Sequence, residues 1–330
     1  MGLTVLSALL FSEKRMKITL LDTDTLGRDL DLSSLSAYGD VETYQRTTPD
    51  QVAERIENSD IVIVNKVKIN EKTVGCPQKL RLVCIAATGY DNVDLCLMKK
   101  MGVGVCNVVG YSTDSVAQLT LAMVLSLSTN LPQFTSKTES GEYTKEGNPN
   151  CLTPVFHELC GKTWGIVGLG NIGKKVAQTA IAMGCRVIAC KRTPDPYYNC
   201  TDVDTLCREA DIISVHTPLT EETRNLISEE RIGLMKKDAI VINVARGAVC
   251  DENALCRAVR EGRLYGIGVD VYSAEPFGED SPYYEVKDMP NVCLTPHMAW
   301  GSYEARVRCL KDIEKSIASF LRGEKYSRLV

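Results

Sequence analysis

Short apolar runs recur along the chain, separated by longer mixed stretches. The first group lies at residues 18–21, 61–64, 81–85 and 104–106. Each run is too short for a helix and is mostly apolar rather than alternating, as in a parallel strand buried on both faces. Between them, residues 49–58 predict a short helix with Thr48 or Asp50 near its N-cap. Residues 115–129 are rich in Ala, Leu and Met and apolar nearly all round, which predicts a buried helix. The polar stretch 136–154, with Gly141, Gly147 and Pro149, breaks the pattern. It reads either as a surface loop or as an arm reaching another subunit. Alternation restarts at Gly161, with strands predicted at 165–167, 186–189, 211–215, 239–243, 266–269 and 292–295, and a last helix at 303–321. Two such series predict two α/β units, each a doubly wound, Rossmann-like parallel sheet.

The second series opens on Trp164-Gly-Ile-Val-Gly-Leu-Gly-Asn-Ile-Gly173. Gly168, Gly170 and Gly173 have G-x-G-x-x-G spacing between a predicted strand and a helix predicted over 174–183, the context in which this motif binds a dinucleotide. Gly168 permits the tight turn, Gly170 lets a pyrophosphate approach the backbone, and Gly173 lets the helix lie on the strand. Asn171, Ile172 and Gly173 lead into that helix, at whose start exposed N–H groups hold phosphate.

Composition narrows the remaining classes. A net charge of −4 offers no basic field to nucleic acid or an anionic membrane, and no apolar run approaches a membrane span. The 14 cysteines are scattered without a C-x-x-C pair, and there are three histidines, so zinc-ligand spacing is absent and no metal is expected. Cysteines in apolar runs are expected to be reduced, buried residues of a cytoplasmic protein. In residues 1–15 the basic Lys14 and Arg15 follow the apolar run, whereas a secretion signal has them before it. This segment is expected to be an unstructured extension, with Met16 as the natural start.

Three further strand ends carry chemistry. Arg246 follows the strand at 239–243, and a guanidinium grips a carboxylate through two parallel hydrogen bonds. Asp270 and Glu275 follow the strand at 266–269, and His297 follows Pro296 after the last strand. Ligands of α/β sheets bind at the carboxyl ends of strands. A histidine exchanges protons near neutral pH, and a neighbouring carboxylate favours its imidazolium form. His157 lies away from the strand ends. His216 is a rival proton donor, read instead as part of the cofactor loop with Thr217 and Pro218. Together these groups supply what reduction of a 2-keto acid needs: Arg246 for the carboxylate, His297 for the proton, Glu275 to orient the imidazole, and a nicotinamide for the hydride.

In these motifs the chain resembles the D-isomer-specific 2-hydroxyacid dehydrogenases over roughly residues 16–330. The resemblance rests on Ala87-Thr-Gly-Tyr-Asp-Asn-Val-Asp94, the glycine motif, Thr217-Pro-Leu-Thr-Glu-Glu-Thr223, Asn243-Val-Ala-Arg-Gly247, Asp270-Val-Tyr-Ser-Ala-Glu-Pro276 and Thr295-Pro-His-Met-Ala299. It implies Arg246, Glu275 and His297 as the catalytic trio, with Val244, Ala245 and Asp270 beside the cofactor. It also implies a cofactor domain, 114–300, inserted into a split flavodoxin-like substrate domain, 16–113 and 301–330. Hinges are implied near 112–116 and 297–302. The resemblance further implies a homodimer joined through the cofactor domains, with 136–154 embracing the partner. Backbone N–H groups near Thr88 and Gly89 are implied to hold the substrate carboxylate. Lys66 either faces an anionic substrate or is a solvated loop lysine. The ending through Trp300 is most similar to the glycerate dehydrogenase (hydroxypyruvate reductase) branch, and Trp300 is compatible with a small polar 2-keto acid.

The family's usual acidic residue at the end of the second cofactor strand, which binds the ribose of NAD, is replaced here by Lys191, followed by Arg192 and Thr193. Basic groups and a hydroxyl attract a 2′-phosphate, so NADP is favoured over NAD. The alternatives are a dehydrogenase for another 2-keto acid, such as D-lactate, phosphoglycerate, or a branched or aromatic acid, or a dinucleotide-sensing corepressor-like binding protein. The enzyme reading is preferred because all three catalytic side chains are present.

Overall fold

A computed structural model describes residues 15–330. The chain divides into two compact units, one holding the described residues up to Tyr111 together with Tyr303–Val330, the other Ser112–Ser302.

The first unit is built on five parallel strands, β1 Lys17–Leu20, β2 Asp40–Thr43, β3 Ile61–Val64, β4 Leu82–Ile85 and β5 Gly104–Cys106, in the order β2-β1-β3-β4-β5. Every residue of β3, β4 and β5 is buried, which is why these runs are apolar throughout. β2 escapes the hydrophobic pattern because it is an edge strand whose residues are exposed or half-buried. The expected helix at 49–58 is a 3₁₀ turn, Pro49–Gln51, running into helix Val52–Ile56, with Thr48 and Gln51 forming a capping box. The closing helix Tyr303–Leu321 buries Ala305, Cys309, Ile313 and Ile317, a four-residue spacing that marks one face. Arg15, the last residue of the expected extension, pairs with Asp40 at 3.2 Å; the rest of that segment lies outside the described residues.

The second unit carries seven parallel strands: β6 Thr163–Val167, β7 Arg186–Cys190, β8 Asn199–Cys200, β9 Ile212–Val215, β10 Ile240–Asn243, β11 Gly266–Val269 and β12 Val292–Leu294. Their order is β12-β11-β10-β9-β6-β7-β8. The chain runs outward from β6 through β7 and β8, then returns to β9 on the other side. The switch point between β6 and β9 is where a doubly wound sheet binds its ligand. Trp164 on β6 is fully buried, and its indole N–H donates to Ser214 Oγ at 2.9 Å. Helix Thr113–Thr129 covers the sheet with Val116, Met123, Val124 and Leu127.

The polar stretch expected as a loop or arm contains the end of helix Leu131–Glu139 and all of helix Glu142–Glu146. Neither helix buries a residue, so no apolar periodicity betrays them. Gly141 and Gly147 interrupt them in left-handed conformations, and Lys137 reaches Glu142 at 3.5 Å and Glu146 at 2.8 Å across the turn.

Candidate active site

The glycine turn leaves β6 at the switch point. Gly168 has φ 96°, and a Cβ there would sit 2.8 Å from the carbonyl carbon of His216 and the amide nitrogen of Thr217. At Gly173 a Cβ would meet the carbonyl oxygen of Gly168 at 2.1 Å, so the helix lies directly on the turn. A Cβ at Gly170 would meet nothing within 4 Å. The helix spans Asn171–Ala182, three residues earlier than the sequence pattern indicates, because its first turn is the motif itself. First-turn N–H groups have no intrahelical partner and favour anions. Open space at Gly170 beside these donors fits a dinucleotide pyrophosphate.

At the end of β7, Lys191 lies 3.8 Å from Asp195 Oδ2, and Lys174 reaches the same oxygen at 2.7 Å. Asp195 is buried, and the Lys174 ammonium holds its carboxyl below the usual carboxylate range. Arg192 is exposed and 4.0 Å from Glu222, and Thr193 is exposed beside it. The sequence reading missed Asp195 and Lys174, whose meeting depends on the turn between β7 and β8.

After β9, His216 donates its backbone N–H to Val167 at 2.7 Å, fastening the β9 end to β6. Its Nε2 lies 2.9 Å from Ser214 Oγ. The same Ser214 oxygen accepts the Trp164 indole N–H, so it is shared between β6 and the β9 end. Nδ1 is buried and has no hydrogen-bond partner among the described residues. Burial lowers the His216 pKa to about 3. Thr217 and Pro218 follow, with the Pro218 carbonyl accepting the Thr223 hydroxyl at 2.6 Å.

Arg246, Glu275 and His297 follow three consecutive strands of one sheet edge, β10, β11 and β12. Asn243, fully buried at the end of β10, accepts the Ala245 N–H at 3.1 Å and donates to the Arg246 carbonyl at 2.9 Å. This closes the turn through Val244 and Ala245 and presents Arg246. A Cβ at Gly247 would fall 2.2 Å from the Tyr272 carbonyl carbon, so the β10 and β11 ends are in direct backbone contact. Glu275 Oε1 accepts the Tyr272 N–H at 3.1 Å, and Oε2 lies 2.6 Å from His297 Nδ1. The carboxylate is therefore fixed at both oxygens, and Nε2 is the imidazole nitrogen turned away from it.

His297 has φ 52°, a left-handed conformation uncommon for a side-chain-bearing residue. Asp270 holds the chain there. Its Oδ1 accepts the Thr295 hydroxyl at 2.5 Å and the Met298 N–H at 2.8 Å, and its Oδ2 accepts the Ala299 N–H at 2.9 Å. Asp270 is fully buried, which raises its pKa against the pull of these donors. Expected beside the cofactor, Asp270 anchors the His297 loop. The Trp300 indole N–H donates to the His297 carbonyl at 3.0 Å.

The remaining expected substrate residues belong to the first unit. Lys66 is exposed, on a loop whose Asn65, Lys66 and Val67 N–H groups all donate to Asp22, at 2.6–3.2 Å. Asp22 is buried and absent from the sequence reading, since nothing local shows that a residue after β1 caps the loop after β3. The Thr88 hydroxyl donates to the Val108 carbonyl at 2.8 Å, and Gly89 follows on the same turn. Among the described residues no His, Cys, Asp and Glu side chains gather as a metal-ligand group.

A glycine turn at the switch point, with a carboxylate–imidazole pair and an arginine along the same sheet edge, defines a dinucleotide-dependent oxidoreductase. Residues 121–299 match the model of the D-isomer specific 2-hydroxyacid dehydrogenase NAD-binding domain. The chain is 31% identical over 309 residues to a glycerate dehydrogenase of Methylorubrum extorquens, covering 93% of this chain and 97% of that protein. It is 34% identical over 321 residues to a hydroxypyruvate reductase of Blautia hydrogenotrophica, covering 93% and 98%. Among solved structures, an acyclic imino acid reductase in complex with NADPH and D-Arg superposes with a TM-score of 0.84 at 28% identity, over 96% of this chain and all of that one. The chain belongs to the D-isomer-specific 2-hydroxyacid dehydrogenases. It is an oxidoreductase acting on the CH–OH group of 2-hydroxy acids with a nicotinamide dinucleotide.

Proposed function

We propose that the enzyme interconverts hydroxypyruvate or glyoxylate with D-glycerate or glycolate, and that it favours NADP(H) over NAD(H). The observation that carries the catalytic reading is the 2.6 Å contact between His297 Nδ1 and Glu275 Oε2. Glu275 holds the Nδ1 side of the ring and leaves Nε2 to present the proton to the carbonyl oxygen of the keto acid. Arg246 binds the substrate carboxylate through paired N–H bonds and polarises the carbonyl. Asp270 keeps His297 in place by fixing the loop on either side of it. In this reading backbone N–H groups near Thr88 and Gly89 hold the substrate carboxylate, and Lys66 either faces an anionic substrate or is solvated. The nicotinamide, when bound, supplies the hydride.

The names of the glycerate dehydrogenase and hydroxypyruvate reductase relatives support this substrate class. Lys191 and Arg192, in place of a ribose-binding acid, support NADP(H). The substrate domain in this reading is 16–113 with 301–330, around a cofactor domain at 114–300. The enzyme is read as a cytoplasmic homodimer joined through the cofactor domains. Exposed Leu131, Leu152, Val155 and Phe156 on that domain support the dimer.

Purified protein assayed with hydroxypyruvate, glyoxylate, pyruvate, phenylpyruvate and 2-ketoisocaproate, each with NADH and NADPH, tests the reading. Hydroxypyruvate or glyoxylate with NADPH is expected to give the highest kcat/KM, and His297→Ala to lower it about 10²- to 10⁴-fold while cofactor still binds. A higher value for another acid overturns the substrate assignment, and one for NADH the cofactor assignment. No turnover with any acid despite tight cofactor binding would favour the corepressor-like alternative.

A further inference from the structure

A buried carboxylate near the end of β7 carries an inference that rests on the NADP(H) reading. Asp195 is 7% exposed, yet its Oδ2 receives two ammonium groups from different elements. Lys174 reaches it at 2.7 Å from the helix after the glycine turn, and Lys191 at 3.8 Å from the residue following β7. Oδ1 accepts the Tyr197 N–H at 3.2 Å, which fixes the carboxylate in its loop. Two ammonium groups converge on one point against their mutual repulsion only when an anion lies between them. The fold does not force the convergence, because side chains 43% and 35% exposed have room to turn to solvent. The strands behind them are neighbours, with Val167 opposite Cys190, and the Gly168 N–H donates to the Cys190 carbonyl at 2.9 Å. Both lysines thus stand at the sheet edge where a doubly wound fold reads the ribose of its dinucleotide.

We propose that Lys174 and Lys191 form a two-ammonium receptor for the 2′-phosphate of NADP(H), and that Asp195 is an internal anion that competes with that phosphate for both ammonium groups. Lys174 becomes a specificity-determining residue. Asp195 pairs with both ammonium groups in the free enzyme and repels the incoming dianion. Its charge therefore sets how far selectivity for the phosphorylated cofactor extends. Arg192, 94% exposed, adds attraction without comparable orientation.

The test is calorimetric titration of the full-length enzyme with adenosine 2′,5′-bisphosphate and with adenosine 5′-monophosphate, which differ only in the 2′-phosphate. Lys174→Met is expected to weaken the bisphosphate about tenfold, as befits loss of a charge-assisted contact, and to leave the monophosphate unchanged. Lys174→Arg is expected to retain the preference. Asp195→Asn keeps the carboxylate's shape without its charge and is expected to tighten the bisphosphate alone. Equal effects of Lys174→Met on both ligands, or none on either, overturn the role of Lys174. Weaker bisphosphate binding by Asp195→Asn overturns that of Asp195. If the wild-type enzyme binds both ligands equally, the NADP(H) reading itself fails, and the receptor with it. A wild-type preference that survives Lys174→Met removes only the receptor.

Discussion

At the scale of single residues, two histidines at the ends of strands have opposite surroundings. His297 faces a carboxylate, whereas His216 meets a serine hydroxyl on one nitrogen and, among the described residues, no hydrogen-bond partner on the other. The His216 pKa, lowered to about 3 by burial, lies below its unfolded value near 6.5. Between those values the unfolded chain takes up a proton that the folded chain refuses. Stability from this residue is therefore full above about pH 6.5 and is lost as pH falls below it, by up to about 1.4 kcal/mol per pH unit. Urea unfolding of wild type and His216→Gln at pH 7.5 and pH 5 should show a smaller acid loss in the variant. Equal losses would mean that His216 already takes a proton in the folded state. The sequence offered His216, Arg246, Glu275 and His297 as candidates because residue type and strand-end position are local properties. Asp22, Asp195 and the anchoring role of Asp270 depend on turns that bring distant segments together, and no spacing along the chain records them.

Among the elements, the glycine turn separates folding from binding. A Cβ at Gly173 would press on a backbone oxygen, and one at Gly170 would enter open space. Gly173→Ala should lower stability by about 1–3 kcal/mol, as an overpacked contact does, because the helix must lift from the turn. Gly170→Ala, with φ −85° compatible with alanine, should leave the melting temperature unchanged and weaken cofactor binding. Thermal melts and cofactor titrations of both variants distinguish the positions; a stable Gly173→Ala or a tightly binding Gly170→Ala contradicts the assignment. Strands buried on both faces were legible as apolar runs, whereas β2 and β8 were not. β2 is an edge strand, and β8 has two residues, too few for any periodicity. The helices within 131–146 were hidden for a related reason, having no face to bury.

For the molecule as a whole, alternation along the chain predicted two parallel α/β sheets but not the strand order within either. Strand order is fixed by which crossovers bury each face, a property of the assembled sheet. The exposed apolar residues of the second unit bear on assembly. Phe156 is half exposed, its ring edge-on to Phe134 at 5.8 Å. Sedimentation should find the wild-type enzyme at twice the chain mass and Phe156→Glu at the chain mass; a monomeric wild type would rule the dimer out. The chain holds two tryptophans, and they report on different places. Trp164 is sealed inside the β6–β9 core, while Trp300 is half-buried, its indole bonded to the backbone of His297. A soluble quencher should therefore extinguish the emission of Trp300 and spare that of Trp164. If the substrate binds at His297 as proposed, the unlabelled enzyme carries its own fluorescent gauge of that binding, with an internal standard in the same spectrum.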